Sequence, residues 1–136
     1  MLFYAKIESM KTILVDALDT LILADGTLFD AMRVLLDSYP NPKLVLTNAN
    51  DGQWKQFNIS ISPYEVFTLK HEPDKTDPKY FEILLDQHAL QPEDVVYFEH
   101  SAKAVKSAES LGIKSYFYDH TKKDLAALKE FLDSPL

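Results

Sequence analysis

Apolar residues along this chain come in short unbroken runs, and each run ends on a polar residue. Thr12-Ile13-Leu14-Val15 ends at Asp16, Lys43-Leu44-Val45-Leu46 at Thr47, Val95-Val96-Tyr97-Phe98 at Glu99, and Ser115-Tyr116-Phe117-Tyr118 at Asp119. Continuous runs of this length, without apolar–polar alternation, predict strands covered on both faces. A further short strand is expected at Glu65–Thr68. Helical spacing fills the intervals. Asp51–Phe57 reads as a short helix after the second strand. Asp77-Pro78 reads as a cap followed by proline at the first helical position, with Phe81, Leu84, Leu85 and His88 repeating behind it. Ser101 caps a helix carrying Val105, Ala108 and Leu111, which Gly112 stops. Leu125, Leu128 and Leu132 mark a last helix. Strands alternating with helices predict an α/β, Rossmann-like three-layer sandwich with a mainly parallel central sheet.

Length and composition narrow the picture. With 136 residues, 46% hydrophobic and 26% charged, the whole chain reads as one domain, residues 1–136, able to bury a core of its own. Met10 starts the domain pattern, so residues 1–9 read as an N-terminal extension, an extra edge strand or a mis-called start. That stretch is too short and mixed for a signal peptide, and no apolar run approaches the roughly 20 residues of a membrane span. The absence of cysteine excludes disulfides and thiolate metal sites and fits a reducing cytoplasm. A formal net charge of -7 argues against a nucleic-acid partner, whose binders need basic patches. It leaves room for a local site that holds a phosphate.

In open α/β sheets, ligands bind at the carboxyl ends of the strands. Here those ends carry Asp16, Thr47 and the pair Glu99-His100. Each could simply cap the helix that follows. An acid, a hydroxyl and a second acid together make a concentrated polar site.

Four segments then match one pattern. Lys11-Thr12-Ile13-Leu14-Val15-Asp16-Ala17-Leu18-Asp19-Thr20-Leu21 resembles the first motif of the haloacid-dehalogenase-like (HAD) hydrolase superfamily. Leu44-Val45-Leu46-Thr47-Asn48 is similar to its second motif, and Lys75-Thr76-Asp77-Pro78-Lys79-Tyr80-Phe81 to its third. Val96-Tyr97-Phe98-Glu99-His100-Ser101, followed by Ala108 and Leu111-Gly112-Ile113, resembles the fourth. The resemblance covers about residues 10–119. It implies that Asp16 attacks phosphorus and becomes an aspartyl-phosphate. Thr47 and Asn48 would bind the phosphoryl group, and Lys75 would neutralise it. Mg2+ would be held by Asp16, by the Leu18 carbonyl and by Glu99, since a hard cation takes oxygen ligands.

Departures from the family pattern bear on activity. Phosphatases of the family carry a second aspartate two residues after the nucleophile, as acid and then base. Leu18 stands there, and Asp19 comes one residue late and is expected to point elsewhere. His100 occupies the position of the main metal-binding aspartate, and imidazole is a poorer Mg2+ ligand than carboxylate. Mg2+ binding is therefore expected to be weak. The intervals from Asp16 to Thr47 and from Thr47 to Lys75 leave no room for a cap domain. An uncapped site suits a phosphorylated substrate that is itself large, or a partner surface.

Ala24-Asp25-Gly26-Thr27-Leu28 mimics the first motif more literally. Asp25-Gly26 between apolar residues is a hairpin signal, expected as a flap over the site. The leading reading is thus a HAD-like phosphohydrolase. The alternative is a degenerate HAD domain that binds a phospho-ligand or a protein. Dehalogenases share Asp16-Ala17-x-x-Thr20-Leu21 but enclose small substrates under a cap. Phospho-receiver domains place their lysine on the last strand. His71, His88 and His120 share no ligand spacing, His88 reads as part of an apolar helix face, and Trp54 reads as packing.

Overall fold

The first strand, β1 (Thr12–Asp16), lies at the centre of a five-stranded, all-parallel sheet. The computed structural model describes residues 10–136; the expected extension or edge strand at residues 1–9 lies outside the described residues. On one side β1 pairs with β2 (Lys43–Thr47), and β2 with the short edge strand β3 (Val66–Thr68). On the other side it pairs with β4 (Val95–Glu99), and β4 with β5 (Lys114–Phe117). The order is β3-β2-β1-β4-β5. Its direction of growth reverses between β1 and β4, so a crevice opens where those strands end, at Asp16 and Glu99.

Burial explains the uninterrupted apolar runs. Ile13, Val15, Val45, Val96 and Phe98 pack on one face of the sheet, against Met32 and Leu36 of helix α1 (Asp30–Asp37) and against Leu128 and Leu132 of α5 (Leu125–Asp133). Leu14, Leu44, Leu46 and Tyr97 alternate with them and pack on the other face. There they meet Tyr80, Phe81, Leu84 and Leu85 of α3 (Pro78–Gln87) and Ala108 of α4 (Ala102–Glu109). Side chains two apart share a face and neighbours do not, so a strand covered on both sides must be apolar throughout. The short helix α2 (Asp51–Gln56) buries no residue fully.

Local chemistry sets the boundaries. Asp77 accepts from the Lys79 amide ahead of Pro78, and Ser101 Oγ accepts from the Ala104 amide. Asn50 and Gln53 form a reciprocal capping box on α2. Gly112 has φ +84°, a conformation that favours glycine, where α4 gives way to β5.

The structure departs from expectation in several places. Helix α1 is not among the expected elements: its cap position is Phe29, which makes no side-chain cap bond. The fourth apolar run forms a strand over Lys114–Phe117, one residue earlier than expected, because β5 is an edge strand, half-exposed, with Phe117 turned to solvent. Tyr118, just beyond it, takes the buried place. His88 does not extend the helix but caps it, with Nδ1 on the Leu84 carbonyl at 2.9 Å and its ring edge-on to Phe67. Its packing role stands, as does that of Trp54 against the core.

Between β2 and Lys75 the chain spends its residues on α2, one 3-10 turn at Ile59–Ile61 and β3. Asp25-Gly26 does form a tight turn, closed by Ile22↔Leu28 pairing and with Gly26 at φ +82°. The Gly26 carbonyl accepts from Asn58 Nδ2 at 2.8 Å, so the turn leans on the start of the 3-10 turn that follows α2. It does not line the crevice as the expected flap.

Candidate active site

Asp16 is buried at the end of β1, and its two carboxylate oxygens are used differently. Oδ1 accepts from Lys75 Nζ at 2.8 Å. Oδ2 accepts from Thr20 Oγ1 at 2.7 Å, from the His100 amide at 3.2 Å, and contacts His100 Nδ1 closely. Glu99, at the end of β4, divides its oxygens in the same way. Oε1 accepts from Lys75 Nζ at 2.7 Å and from the Tyr97 hydroxyl. Oε2 accepts from the Ser101 amide at 3.1 Å and lies 3.3 Å from His100 Nδ1. Lys75 therefore bridges one oxygen of each acid, and the other two oxygens face the imidazole.

Charge follows from that geometry. Burial opposes ionisation of Asp16, but the Lys75 ammonium and the hydrogen bond and charge of His100 outweigh it and hold the carboxyl well below the usual range. Burial also works against the Lys75 charge, and the two carboxylates overcome it, keeping the amine firmly protonated. Glu99 has one cation to share with a better-placed acid. Burial and the neighbouring Asp16 charge push it up to about 7. The hydrogen bond to Asp16 raises His100 above its ordinary value, against partial burial.

Two tyrosines of the row Phe67–Tyr80–Phe81–Tyr97 support this floor. Successive rings meet edge to face with centroids 5.3, 5.2 and 5.2 Å apart. Tyr80 OH donates to the Thr47 carbonyl at 2.9 Å, and Tyr97 OH donates to Glu99. The aromatic core thus orients both the Thr47 strand end and the second acid.

A cavity of about 380 Å³ opens above Asp16. Thr47, Asn48, Lys75, Glu99 and His100 line it, and Leu18 forms part of its wall. Thr47 Oγ1 accepts from the Ala49 amide at 3.2 Å, which leaves its own proton to donate. Asn48 Oδ1 accepts from the Lys75 amide at 2.7 Å and so places the lysine. The site residues expected from sequence (Asp16, Leu18, Thr47, Asn48, Lys75, Glu99 and His100) all border one crevice.

Some neighbours were not expected. Thr20, fully buried, anchors Asp16, although sequence gave it no role. Asp19 does not point away: at φ +63° its Oδ2 comes within 3.7 Å of His100 Nε2. His120 packs edge-on against His100, with centroids 4.9 Å apart. His71 reaches the cavity wall through two successive left-handed residues, Lys70 and His71, and bonds Asp74 at 2.7 Å and Gln53 at 2.6 Å. Positive φ is uncommon at non-glycine residues, although aspartate and histidine are among the types enriched there.

No family model and no curated protein matches this chain. Solved structures do. A HAD-family enzyme from Bacteroides thetaiotaomicron, in complex with magnesium and inorganic phosphate, is similar both as an aspartate-to-alanine variant, with a TM-score of 0.68, and as wild type, with 0.65. In each case identity is 15%, over 88% of this chain and 98% of the other. A HAD-superfamily hydrolase of subfamily IA from Geobacter sulfurreducens aligns with a TM-score of 0.61 and 11% identity, over 81% of this chain and 87% of its own. A haloacid dehalogenase-like protein of unknown function from Agrobacterium tumefaciens gives 0.58 and 16%, over 79% and 62%. Strand order, the position of the acids and these likenesses together show that the chain has a HAD-like fold.

Proposed function

We propose that this chain is an uncapped HAD-like phosphohydrolase in which Asp16 forms an aspartyl-phosphate. The observation that carries the reading is the buried Asp16 carboxylate, held by Lys75 at 2.8 Å and facing a cavity that Thr47 and Asn48 also line. In the first step an Asp16 oxygen bonds to phosphorus as the bond to the leaving oxygen breaks. Thr47 donates to a phosphoryl oxygen, and Lys75 offsets the anionic charge that two buried acids and a phosphate would otherwise concentrate. In the second step water cleaves the acyl phosphate and restores the carboxylate.

The donor set fits a divalent cation. One oxygen of Asp16, one of Glu99 and a ring nitrogen of His100 lie within 4.8 Å of one another. The Leu18 carbonyl is a further candidate ligand. The similar Bacteroides thetaiotaomicron enzyme is in complex with magnesium and inorganic phosphate, and this supports Mg2+ here, bound weakly because His100 replaces a carboxylate. Such an ion, when bound, screens charge on the phosphoryl oxygens.

Leu18 on the cavity wall shapes the substrate range. General acid–base help is worth about 10²–10⁴-fold per proton transfer, and leucine offers none. Aryl or acyl phosphates, whose leaving groups need no proton, fit best, and they can be carried on a macromolecule because the crevice is uncapped. The same leucine favours a second reading, a domain that binds a phospho-ligand with little turnover.

Incubation with p-nitrophenyl phosphate separates them. The hydrolase reading expects a burst of at most one product per chain, one phosphoryl group trapped by mass spectrometry, and its loss in Asp16→Asn. A chain that releases no product and traps no phosphate, while inorganic phosphate still binds, refutes the hydrolase and supports the binding domain.

A further inference from the structure

The division of the carboxylate oxygens has a chemical consequence. Lys75 takes Asp16 Oδ1 and Glu99 Oε1. Asp16 Oδ2 and Glu99 Oε2 are left converging on His100 Nδ1, which is 3.3 Å from the glutamate oxygen and in close contact with the aspartate oxygen. An ion about 2.1 Å from each of three donors holds them roughly 3–3.4 Å apart. The edge from His100 Nδ1 to Glu99 Oε2 has that length, whereas the close contact between His100 Nδ1 and Asp16 Oδ2 must open to admit an ion. Ionic radius does not select the ion, because Mg2+ and Zn2+ bind oxygen at nearly the same distance. Ligand type does. Mg2+ depends on anionic oxygens and keeps much of its water. Here both acids share their charge with Lys75, and the third donor is an imidazole. A borderline cation such as Zn2+ or Co2+ gains from that nitrogen what Mg2+ cannot.

A second feature points the same way. A metal-bound histidine usually gives its other ring N–H to a carboxylate, which fixes the tautomer and aims the free nitrogen at the ion. Asp19 Oδ2 lies 3.7 Å from His100 Nε2, an ion-pair contact just beyond hydrogen-bond length, while Nδ1 faces the two acids. The left-handed backbone at Asp19 brings this carboxylate to the rim of the site.

We propose that the centre selects a borderline transition cation, of the Zn2+ or Co2+ class, over Mg2+, through Asp16 Oδ2, Glu99 Oε2 and His100 Nδ1, with Asp19 as the positioning residue of His100. The ion takes the place of the proton that His100 shares with Asp16. The inference rests on the reading of this crevice as a metal-assisted phosphoryl site, but it concerns which ion that site prefers.

The test is equilibrium binding of ZnCl2, CoCl2 and MgCl2 to the full chain by titration calorimetry, without substrate. Site-specific 15N-histidine spectra and the visible bands of the Co2+ form report on nitrogen ligation. Zn2+ should bind at least about tenfold more tightly than Mg2+ and shift the His100 ring resonances. His100→Asp should narrow that ratio by at least about tenfold. Asp19→Asn should loosen Zn2+ by about ten- to a hundredfold and Mg2+ by less. Variants are compared only where their circular dichroism and unfolding midpoint match wild type, and His100→Gln replaces any His100→Asp protein that does not fold. Mg2+ binding as tightly as Zn2+ overturns the proposal. So does Zn2+ binding that survives loss of the His100 ring, or no ion bound at all. Phosphoenzyme trapping on Asp16 is a separate readout, so failure of ion selectivity and failure of the phosphohydrolase reading are distinguishable.

Discussion

Replacing Lys75 with methionine tests the electrostatic account of the site most directly. The substitution keeps the length of the side chain and removes one buried charge. Lys75 Nζ lies 2.8 Å from Asp16 and 2.7 Å from Glu99, and side-chain exposure is 9% for the lysine and 1% for each acid. At an effective dielectric of about 20, each contact is worth roughly 6 kcal/mol before desolvation is counted. Burying the three groups cancels most of that. What the variant feels is the cost of leaving two buried carboxylates without their common partner, about 3–5 kcal/mol. For a domain whose whole stability is about 5–15 kcal/mol, this is a large fraction.

The loss should depend on pH, with a definite sign. Glu99 is already raised to about 7 in the folded state, above its ordinary value of 4.5, by burial and by Asp16. A group raised in this way contributes stability that is fully present below about 4.5 and is lost as pH rises through the folded value. Without Lys75 the folded value climbs further, so the loss continues to higher pH. At pH 5.5 Glu99 takes up a proton, Asp16 keeps His100, and the penalty shrinks. Urea unfolding of wild type and Lys75→Met at pH 5.5 and pH 8.5 should show a gap of about 3–5 kcal/mol at the higher pH and a clearly smaller one at the lower. A gap below about 1 kcal/mol at pH 8.5, of the size expected for an exposed pair, or equal gaps at both pH values, would refute the reasoning.

Other outcomes follow from the same contacts. Wild-type protein in EDTA should lose thermal stability as pH rises from about 4.5 through 7, because Glu99 and His100 are both raised. It should lose stability again below about 4, where the unfolded chain takes up a proton on Asp16 that the folded carboxylate, held low, refuses; a midpoint that rises from pH 5 to 8 would contradict this. Leu18→Asp combined with His100→Asp should raise steady-state p-nitrophenyl phosphate hydrolysis by at least about tenfold; a folded but inert double variant argues for the binding domain. Phe81→Ala removes a fully buried ring packed between Tyr80 and Tyr97. It should cost about 3–5 kcal/mol in urea unfolding, and a loss under 1 kcal/mol would show that the aromatic row is not a packed unit.

Much of the fold is legible in the chain because strands covered on both faces must be apolar at every position. Leu14 and Val15 serve opposite layers, and both must exclude water. Where that condition lapses, so does the signal. β5 has one free edge and half-exposed side chains, and its boundary slips by a residue. Helix α1 lacks a capping side chain, and its apolar residues Met32, Leu35 and Leu36 occupy a single turn beside an exposed Val34. Met32, Leu35 and Leu36 still repeat at helical spacing, so periodicity is the one sequence signal that this short, uncapped helix carries.

The site divides along a related line. Asp16, Thr47 and Glu99 are legible because they sit where strands end, and topology alone brings strand ends together. Lys75 is legible only through its motif, since its position depends on the Asn48 side chain holding a loop. Asp19 and His71 are not legible, because Asp19 reaches the rim of the crevice and His71 its wall through a left-handed backbone that residue spacing does not encode. Counting along the chain puts Asp19 one place too late to serve as the acid that Leu18 lacks. Its φ of +63° instead carries the carboxylate to the far nitrogen of His100. The two departures from the family pattern therefore meet in space. The displaced acid and the substituted metal-site residue form one pair, and a change at either position should alter how the other behaves. A double-mutant cycle of Asp19→Asn and His100→Gln on Zn2+ affinity should show coupling of at least about 0.5 kcal/mol. Strict additivity would mean that the two substitutions are independent losses.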